Sequence, residues 1–319
     1  MKSINERINA NTFLTDGGLE TDMIFTKNID LPHFAAFPLL DNPKHLNTLQ
    51  NYYKEYLDVA KNNGTGYILE SPTWRANKDW GFKLGYNEQD LFRVNQKAIE
   101  CLKELKENYK NDILDIFISG QIGPRGDGYR IDTTMTALEA HSYHLLQIKA
   151  FKMAEVDMVS AITLTYTEEA IGLTLAAKEN HLPIVLSFTV ETDGKMPNGD
   201  SLEDAINKVD RVTNDYPLYY MINCAHPSHF IDVISSNQHW TSRIKGIRAN
   251  ASCKSHAELD EATELDTGNV VELGQWHSKL NEHLPELSVY GGCCGTDASH
   301  VESICKHILK PAKTLDINA

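Results

Sequence analysis

The sequence has no long hydrophobic run and no excess of basic residues, and each absence narrows what the chain can do. No stretch of about 18 apolar residues occurs, so no membrane-spanning helix is expected. The first residues, MKSINERINANTFLTDGG, contain no apolar core of the kind that a signal peptide needs. Thirty basic against 44 acidic residues give a formal net charge of −14, which repels phosphate backbones and anionic lipids. We therefore expect a cytoplasmic protein that binds neither nucleic acid nor membrane.

The sequence also lacks repeats, linkers and low-complexity segments, so one domain over residues 1–319 is expected. Short apolar runs bounded by Gly, Pro, Asn or Asp predict strands near 12–16, 66–71, 113–120, 157–164, 183–189, 218–224, 244–250 and 288–292. Amphipathic stretches predict helices near 43–63, 88–109, 136–154, 167–180, 201–213, 227–237, 270–283 and 297–309. This alternation favours an α/β fold, a single (β/α)8 TIM barrel. A doubly wound open sheet is the alternative, but TDGGLETD is not its Gly-rich fingerprint.

A barrel places its functional residues at the carboxyl ends of the strands or just after them. Polar and metal-binding residue types occur at these predicted strand ends, namely Asp16, Glu70, Thr163, Thr189, Asn223, Cys224, Asn250, Cys293 and Cys294. The pattern therefore predicts one site at that end of the barrel.

Three of the six cysteines, Cys224, Cys293 and Cys294, lie at the predicted ends of strands six and eight. In a chain without a secretion signal, cysteines are more often core residues, metal ligands or nucleophiles than disulfides. Three soft sulfur ligands suit tetrahedral Zn²⁺ and leave a fourth position open for substrate. The alternative is that these cysteines are small buried hydrophobes, which is our interpretation of Cys101 and Cys305; Cys253 is left unassigned.

Histidines offer two competing metal sites. His226 follows Cys224 by two residues and could replace a sulfur ligand, but Pro227 and the start of a helix should turn it away. His141 and His144 lie three apart on a predicted helix without an evident carboxylate partner, so we interpret them as surface or packing residues.

The motifs GGCCGT and MINCAHP, about 70 residues apart, together with the N-terminal TDGGLET, resemble the homocysteine S-methyltransferase family. The segments SGQIGP, LSFTVETDG and IRANAS follow in the order expected of that family, so the resemblance covers nearly the whole chain. Its members include enzymes that use S-methylmethionine or betaine as the methyl donor.

The resemblance implies a (β/α)8 barrel whose Cys224, Cys293 and Cys294 hold zinc. It implies that Asp16 and Asn223 line the pocket of the amino-acid substrate and that strand five forms a wall through Ser187-Phe188-Thr189. The implied reaction moves a methyl group from a small onium donor to a thiol, with homocysteine as the leading acceptor. Aromatic rings could hold the cationic donor; the candidates are Trp74, Tyr166 and Phe188, and a packing role is the alternative for each of them.

The sequence departs from the family at two strand ends. The family usually carries an acidic residue for the homocysteine amino group after strand four, where this chain has Ile162 followed by Thr163. Either Glu70, with Asp16, supplies the missing charge, or the substrate has no amino group there. In IRANAS, Arg248 could bind a carboxylate in a bidentate manner or form a structural salt bridge.

Two other functions stay open at this stage. The same chemistry could act on another thiol or on a selenol, or the barrel could keep a zinc ion without catalysis, which a fourth ligand such as His226 would favour. A zinc hydrolase fits less well, because three thiolates leave the metal too electron-rich to acidify water. The partners implied are a small-molecule thiol and a methyl donor; the sequence does not fix the oligomeric state.

Overall fold

The strands of the protein form a closed barrel. The structure is a computed structural model that describes residues 2–234 and 238–309. The strands are parallel, pair in chain order, and close where β8 pairs with β1. They are β1 Phe13–Leu14, β2 Gly66–Glu70, β3 Ile116–Ile122, β4 Met158–Leu164, β5 Ile184–Phe188, β6 Tyr220–Asn223, β7 Ile244–Ala249 and β8 Val289–Gly292. The (β/α)8 prediction is confirmed, and the open-sheet alternative is wrong.

Helices cover the outside of the barrel between the strands. The longer ones are Pro43–Asn63, Glu88–Tyr109, Ala137–Met153, Thr167–Glu179, Leu202–Thr213, Val270–His283 and Ala298–Ile308, and short ones are Lys78–Lys83, His239–Ser242 and His256–Asp260. The helix Ile4–Ala10 precedes β1, and its Ile8 packs against the base of the barrel. Local sequence explains their ends: Asn42 caps the helix that begins at Pro43, and Gly64 ends it with φ +66°. No helix in the described ranges combines the length and the hydrophobicity needed to cross a membrane.

The helix predicted over 227–237 is wrong. The chain forms two short 3-10 turns, Pro227–His229 and Ile231–Val233, and residues 235–237 lie outside the described part. Phe230, between the turns, has φ −129° and ψ −7°, which no α-helix allows. This segment is rich in Ser, His and β-branched residues, whose low helix propensity disfavours a continuous helix.

The interior of the barrel has an apolar base and a polar layer above it. The base buries one cluster that contains Ile8 of the first helix and the strand residues Phe13, Ile68, Phe117, Met158, Val185, Met221 and Val289. Two positions further along the strands, the buried residues are polar: Glu70, Ser119, Ser160, Ser187, Asn223 and Arg248. This layer forms the floor of the functional end of the barrel.

Candidate metal centre

Three cysteine side chains meet at the carboxyl end of the barrel. The sulfur atoms of Cys224, Cys293 and Cys294 all lie within 4.8 Å of one another. Cys224 follows the last residue of β6, and Cys293 follows the last residue of β8. Over residues 2–234 and 238–309, no histidine or carboxylate joins this group. The chain therefore presents a three-sulfur set, as the sequence predicts.

The adjacent residues Cys293 and Cys294 both contribute their sulfur atoms to the cluster because β8 ends in a tight turn. The Cys293 carbonyl accepts hydrogen bonds from the backbone N–H and the hydroxyl of Thr296, at 3.1 and 2.8 Å. Gly295 has φ +79°, a conformation that other residues rarely adopt. A Cβ on Gly18 would lie 2.5 Å from the Cys293 carbonyl oxygen, so the loop after β1 packs directly against this turn.

Cys224 is held in a strained backbone conformation. Its φ is +54°, which is uncommon for a residue other than glycine. Its carbonyl accepts hydrogen bonds from the Asn250 Nδ2 at 3.0 Å and the His256 Nε2 at 2.7 Å. Its N–H donates to the Arg248 carbonyl at 3.1 Å. These contacts stabilise the strained residue and fix the position from which its sulfur projects.

Tyr129 reaches the third sulfur from the loop after β3. Its hydroxyl donates to Cys294 Sγ at 3.4 Å, and its ring stacks on His256 with 4.0 Å between the ring centroids. Burial raises the pKa of the Cys294 thiol to about 11. Without a cation this thiol is protonated at neutral pH, and a bound metal ion would convert it to the thiolate.

His226 is directed away from the three sulfur atoms. Its Nδ1 lies 2.7 Å from Ser228 Oγ and caps the turn that begins at Pro227, and its ring lies edge-on to Trp276. Burial lowers the pKa of His226 to about 4, so the ring is neutral. The prediction that Pro227 turns this residue away is confirmed.

A cavity of about 390 Å³ opens above the three cysteines. Its deep wall contains Asp16, Gln121, Ile162, Thr163 and Arg248. Its outer wall is rich in carboxylates and aromatic rings, namely Glu20, Asp127, Asp260, Glu264 and Asp266 with Phe25, Phe34, Trp74 and Tyr129. Trp74 thus lines the cavity, whereas the other two aromatic candidates, Tyr166 and Phe188, do not contribute to this wall.

The predicted substrate residues divide into one that lines the cavity and four that support it. Asp16 lies in the wall. Asn223 Oδ1 accepts from the Ser187 hydroxyl at 2.6 Å and from the Thr163 N–H at 2.9 Å, and thereby ties together the ends of three strands. Thr189 lies 3.5 Å from the Cys224 carbonyl oxygen, and Glu70 lies in the polar layer.

Two carboxylates and one guanidinium share the deep end of the barrel. Arg248 donates from Nη2 to Asp16 Oδ1 at 2.6 Å, and Tyr52 donates to Asp16 Oδ2 at 3.1 Å. Ser160 donates to Glu70 Oε1 at 3.0 Å. Burial raises the pKa of Glu70 to about 7, although the nearby positive charge of Arg248 opposes this shift.

The sequence model of the homocysteine S-methyltransferase family matches residues 13–308, almost the whole described chain. The chain belongs to the homocysteine S-methyltransferase family. As a member of that family it is a methyltransferase. It is 20% identical to homocysteine S-methyltransferase 1 of Arabidopsis thaliana over 316 residues, which cover 92% of this chain and 93% of that protein.

Solved structures of one family member share the fold. The metallated form of the homocysteine methyltransferase MmuM from Escherichia coli superposes with a TM-score of 0.70 at 17% identity, covering 93% of this chain and 96% of that one. Its oxidised form gives the same TM-score and identity, and covers 92% and 94%. At this identity the likeness shows the barrel fold alone.

Two residues that contact the cysteines, Tyr129 and His256, were not predicted from the sequence. Tyr129 lies in GPRGDGYR, a loop with no cysteine or histidine. His256 lies at the start of a five-residue helix, in the loop region after β7 and not at a strand end itself. Both reach the cysteines through loops whose path only the folded barrel defines. The one available signal was Asn250, the neighbouring polar residue at the end of β7, which the sequence placed correctly at the site.

Cys224 and Cys293 can also form a disulfide. Their sulfur atoms are in bonding contact and their Cα atoms are 5.4 Å apart, within the usual range for a disulfide. A disulfide sulfur is not a thiolate, so this state and a state with three metal-bound thiolates exclude one another.

We therefore expect oxidation to block metal binding. The chain has six cysteines, of which Cys101, Cys253, Cys294 and Cys305 are free when the pair is joined. Oxidised protein should react with Ellman's reagent at four thiols after denaturation and bind less than about a tenth of an equivalent of zinc. Reduction should restore six thiols and one zinc. Oxidised protein that retains stoichiometric zinc would contradict this expectation.

Proposed function

We propose that the protein is a zinc-dependent S-methyltransferase that moves a methyl group from a small onium donor to a thiol, with homocysteine as the leading acceptor. The observation that carries the proposal is the meeting of three cysteine sulfurs, within 4.8 Å of one another, at the floor of a cavity. Tetrahedral zinc with Zn–S bonds of about 2.3 Å requires sulfur atoms about 3.8 Å apart, so Cys224 and Cys293 would hold it only when their sulfurs are not bonded to each other.

The three cysteines would hold the metal at the floor of the cavity. Zinc, when bound, supplies a Lewis acid that keeps the acceptor sulfur as a thiolate near neutral pH, although a free thiol has a pKa of about 8.5. The thiol proton goes to solvent. The acceptor sulfur then forms a bond to the methyl carbon as the bond between that carbon and the donor's sulfonium or ammonium atom breaks, and the leaving group keeps the electron pair.

The residues of the chain have three roles in this scheme. Asp16 lies in the cavity wall, where it faces the acceptor. Asn223, Ser187 and Thr189 hold the ends of β4, β5 and β6, and so position Thr163 and Cys224. Glu70 lies in the layer beneath the cavity, where it contributes negative charge without being placed to contact the substrate.

An onium donor fits the outer cavity. Five carboxylates line it, and aromatic faces stabilise cations by about 0.5–2 kcal/mol each. The arginine in this wall, Arg75, is already engaged, since its guanidinium lies 3.8 Å from the Trp80 ring and its Nη2 lies 3.5 Å from Asp127. The local field therefore attracts a cation toward the cysteines.

Two other functions have less support. A zinc-binding barrel without catalysis would need a closed coordination sphere, and His226 is engaged with Ser228 instead. The same chemistry on another thiol or selenol is supported only by Ile162, whose apolar side chain lies in the cavity wall. A cytoplasmic location, where the cysteines would stay reduced, remains a prediction.

The proposal is tested with reduced, zinc-loaded protein, S-methylmethionine and homocysteine, with methionine formation as the measurement. Methionine should form in proportion to bound zinc, and removal of the metal by a chelator should abolish the reaction. Protein that carries one zinc per chain but methylates no thiol would contradict the proposed reaction. It would still support the proposed zinc site.

The acidic outer wall leads to a prediction about the donor. Replacing Asp260 by Asn and Glu264 by Gln should raise the KM for S-methylmethionine about 3- to 10-fold at low salt, because two exposed charges that attract the cation are lost. The effect should shrink in 0.5 M salt, while kcat stays within about twofold. The exposed pair Glu203→Gln and Asp204→Asn, on the helix Leu202–Thr213, is the matched control. An unchanged KM at low salt would contradict the role of the wall.

A further inference from the structure

Glu20 is a carboxylate in the cavity wall beside the turn that follows β8. It belongs to the short helix Leu19–Thr21 after β1. That helix lies directly on the turn, since Thr21 Oγ1 accepts a hydrogen bond from the Gly295 N–H at 3.2 Å. The Glu20 side chain is partly exposed and lines the cavity. In the ranges that the structure describes, its carboxylate oxygens accept no hydrogen bond from another residue, and neither oxygen is sealed off from the cavity.

The other carboxylates of the cavity wall are either paired or open to solvent. Three of them accept a hydrogen bond from a neighbouring side chain, namely Asp16, Asp127 and Asp266. The remaining two are exposed, namely Asp260 and Glu264. Among the described residues, Glu20 is therefore the one carboxylate of this wall that is partly shielded from solvent and still has no partner.

Glu70 does not reach the cavity, although the sequence suggests this carboxylate as the source of the missing charge. Its Oε1 accepts a hydrogen bond from the Ser160 hydroxyl at 3.0 Å, and its Oε2 is buried without a partner. In the described structure, Glu70 does not contribute to the cavity wall. A bound substrate would therefore meet Glu20 and not Glu70.

Gln121 presents an unpaired amide to the same cavity. Ser119 and Ser160 are joined by a hydrogen bond of 2.7 Å in the polar layer. Gln121 and Ile162 follow them by two residues on adjacent strands, so both side chains point into the barrel above that layer. Gln121 is 7% exposed, and its side-chain amide makes no hydrogen bond within the described residues while staying open to the cavity. Because buried polar groups are normally paired, the place beside Ile162 indicates a polar ligand.

The charges around the deep end of the cavity favour a cation. Three carboxyl groups lie around the Arg248 guanidinium, namely those of Asp16, Glu20 and Glu70. Burial raises the pKa of Glu20 to about 7, and the charges of Arg248 and Arg75 offset only part of that shift. An ammonium group against the carboxylate would stabilise its charged form.

We propose that the acceptor is an amino-acid thiol, that Glu20 binds its ammonium group, and that the Gln121 amide hydrogen-bonds the same amino-acid end. The inference rests on the proposed function, because the acceptor sulfur must bind at the metal centre for its other end to lie against these residues. It assigns the charge that Ile162 cannot supply to the loop after β1, rather than to the end of β4 or to Glu70.

Four thiols separate the two ends of the acceptor. Homocysteine carries both charged groups, 4-sulfanylbutanoate lacks the amino group, 3-aminopropane-1-thiol lacks the carboxylate, and propane-1-thiol lacks both. Each is titrated at about pH 8, where Glu20 is mostly ionised, into reduced protein that carries Co²⁺ in place of zinc. The change in the sulfur-to-cobalt charge-transfer absorption gives the Kd. We expect homocysteine to bind at least about 10-fold tighter than 4-sulfanylbutanoate, and 3-aminopropane-1-thiol to bind tighter than propane-1-thiol by a similar factor.

Glu20→Gln tests the ammonium contact, because it keeps the size of the side chain and removes its charge. It should reduce both preferences to within about threefold and leave the Kd of propane-1-thiol unchanged. The matched control is Glu203→Gln, at an exposed position of the helix Leu202–Thr213, which should change neither preference. Glu70→Gln should also leave both preferences unchanged, because no ligand reaches that carboxylate.

Gln121→Met tests the amide, because it keeps the length of the side chain and removes both hydrogen-bonding groups. It should raise the Kd of homocysteine about 3- to 10-fold and leave that of propane-1-thiol unchanged. A Gln121→Met protein that binds homocysteine as tightly as the wild type would overturn the role assigned to this residue.

Two results would overturn the role of Glu20. One is a wild-type protein whose Kd values for homocysteine and 4-sulfanylbutanoate agree within about threefold. The other is a preference for homocysteine that is lost in Glu70→Gln and kept in Glu20→Gln. The proposed function fails differently: if none of the four thiols changes the charge-transfer absorption of protein that holds cobalt, no thiol binds at the metal, and the inference falls with it.

Discussion

Cys293→Ser is expected to abolish both metal binding and methyl transfer. Replacing an outer-shell partner of a metal ligand typically costs about 10- to 100-fold, so removing a ligand itself should cost at least about 1000-fold in kcat/KM. Serine keeps the size of the side chain, but its hydroxyl is a poor ligand for a soft three-sulfur site. The measurements are zinc content after gel filtration and the initial rate of thiol methylation.

The control for this substitution is Cys253→Ser. Cys253 is exposed and lies outside the sulfur cluster, so this variant should keep one zinc and full activity. A Cys293→Ser protein that is folded, binds zinc and methylates a thiol would show that Cys224 and Cys294 suffice. That outcome would remove the main support for the proposed chemistry.

Much of this site could be predicted because it depends on two short-range sequence patterns, the strand ends and the glycines beside the cysteines. Strand periodicity placed Cys224, Cys293 and Cys294 at strand ends, and a closed parallel barrel brings those ends together whatever the loops do. The glycines beside Cys293 and Cys294 allow β8 to end in an irregular turn, so that both adjacent cysteines reach one point. The three-cysteine cluster therefore depends on features that sequence encodes directly.

The orientation of the other strand-end residues could not be predicted from the sequence in the same way. Thr163 has φ +61°, and β4 shifts its register on β5 beyond Ala161. This irregularity draws the Thr163 backbone onto the Asn223 amide, which directs Asn223 to its neighbouring strands. A regular strand period cannot predict such a local departure.

Arg248 shows a second limit of sequence reasoning. Its partner, Asp16, lies 232 residues earlier in the chain. Sequence analysis left two interpretations open, a carboxylate-binding residue and a salt bridge, and the structure shows the salt bridge.

Arg248→Ala is expected to destabilise the fold more than any substitution discussed above. Breaking a buried ion pair by removing one partner costs about 3–5 kcal/mol, since the other charge is left uncompensated. Here Asp16 would keep only the Tyr52 hydroxyl as partner. Burial already raises the pKa of Asp16 and Arg248 opposes that shift, so without Arg248 the carboxyl would be driven further toward its protonated form. Thermal unfolding should show a Tm lower by roughly 6–15 °C.

The double variant Asp16→Asn with Arg248→Met separates charge from packing. It removes both charges and keeps most of the buried volume, and replacing a whole buried pair by neutral groups is often close to neutral for stability. We therefore expect it to recover more than half of the stability lost in Arg248→Ala. A double variant no more stable than the single one would mean that Arg248 supports the barrel through its bonds to the Gly17 and Gly292 carbonyls rather than by neutralising Asp16. In that case the buried pair would not be the reason for an arginine at this strand end.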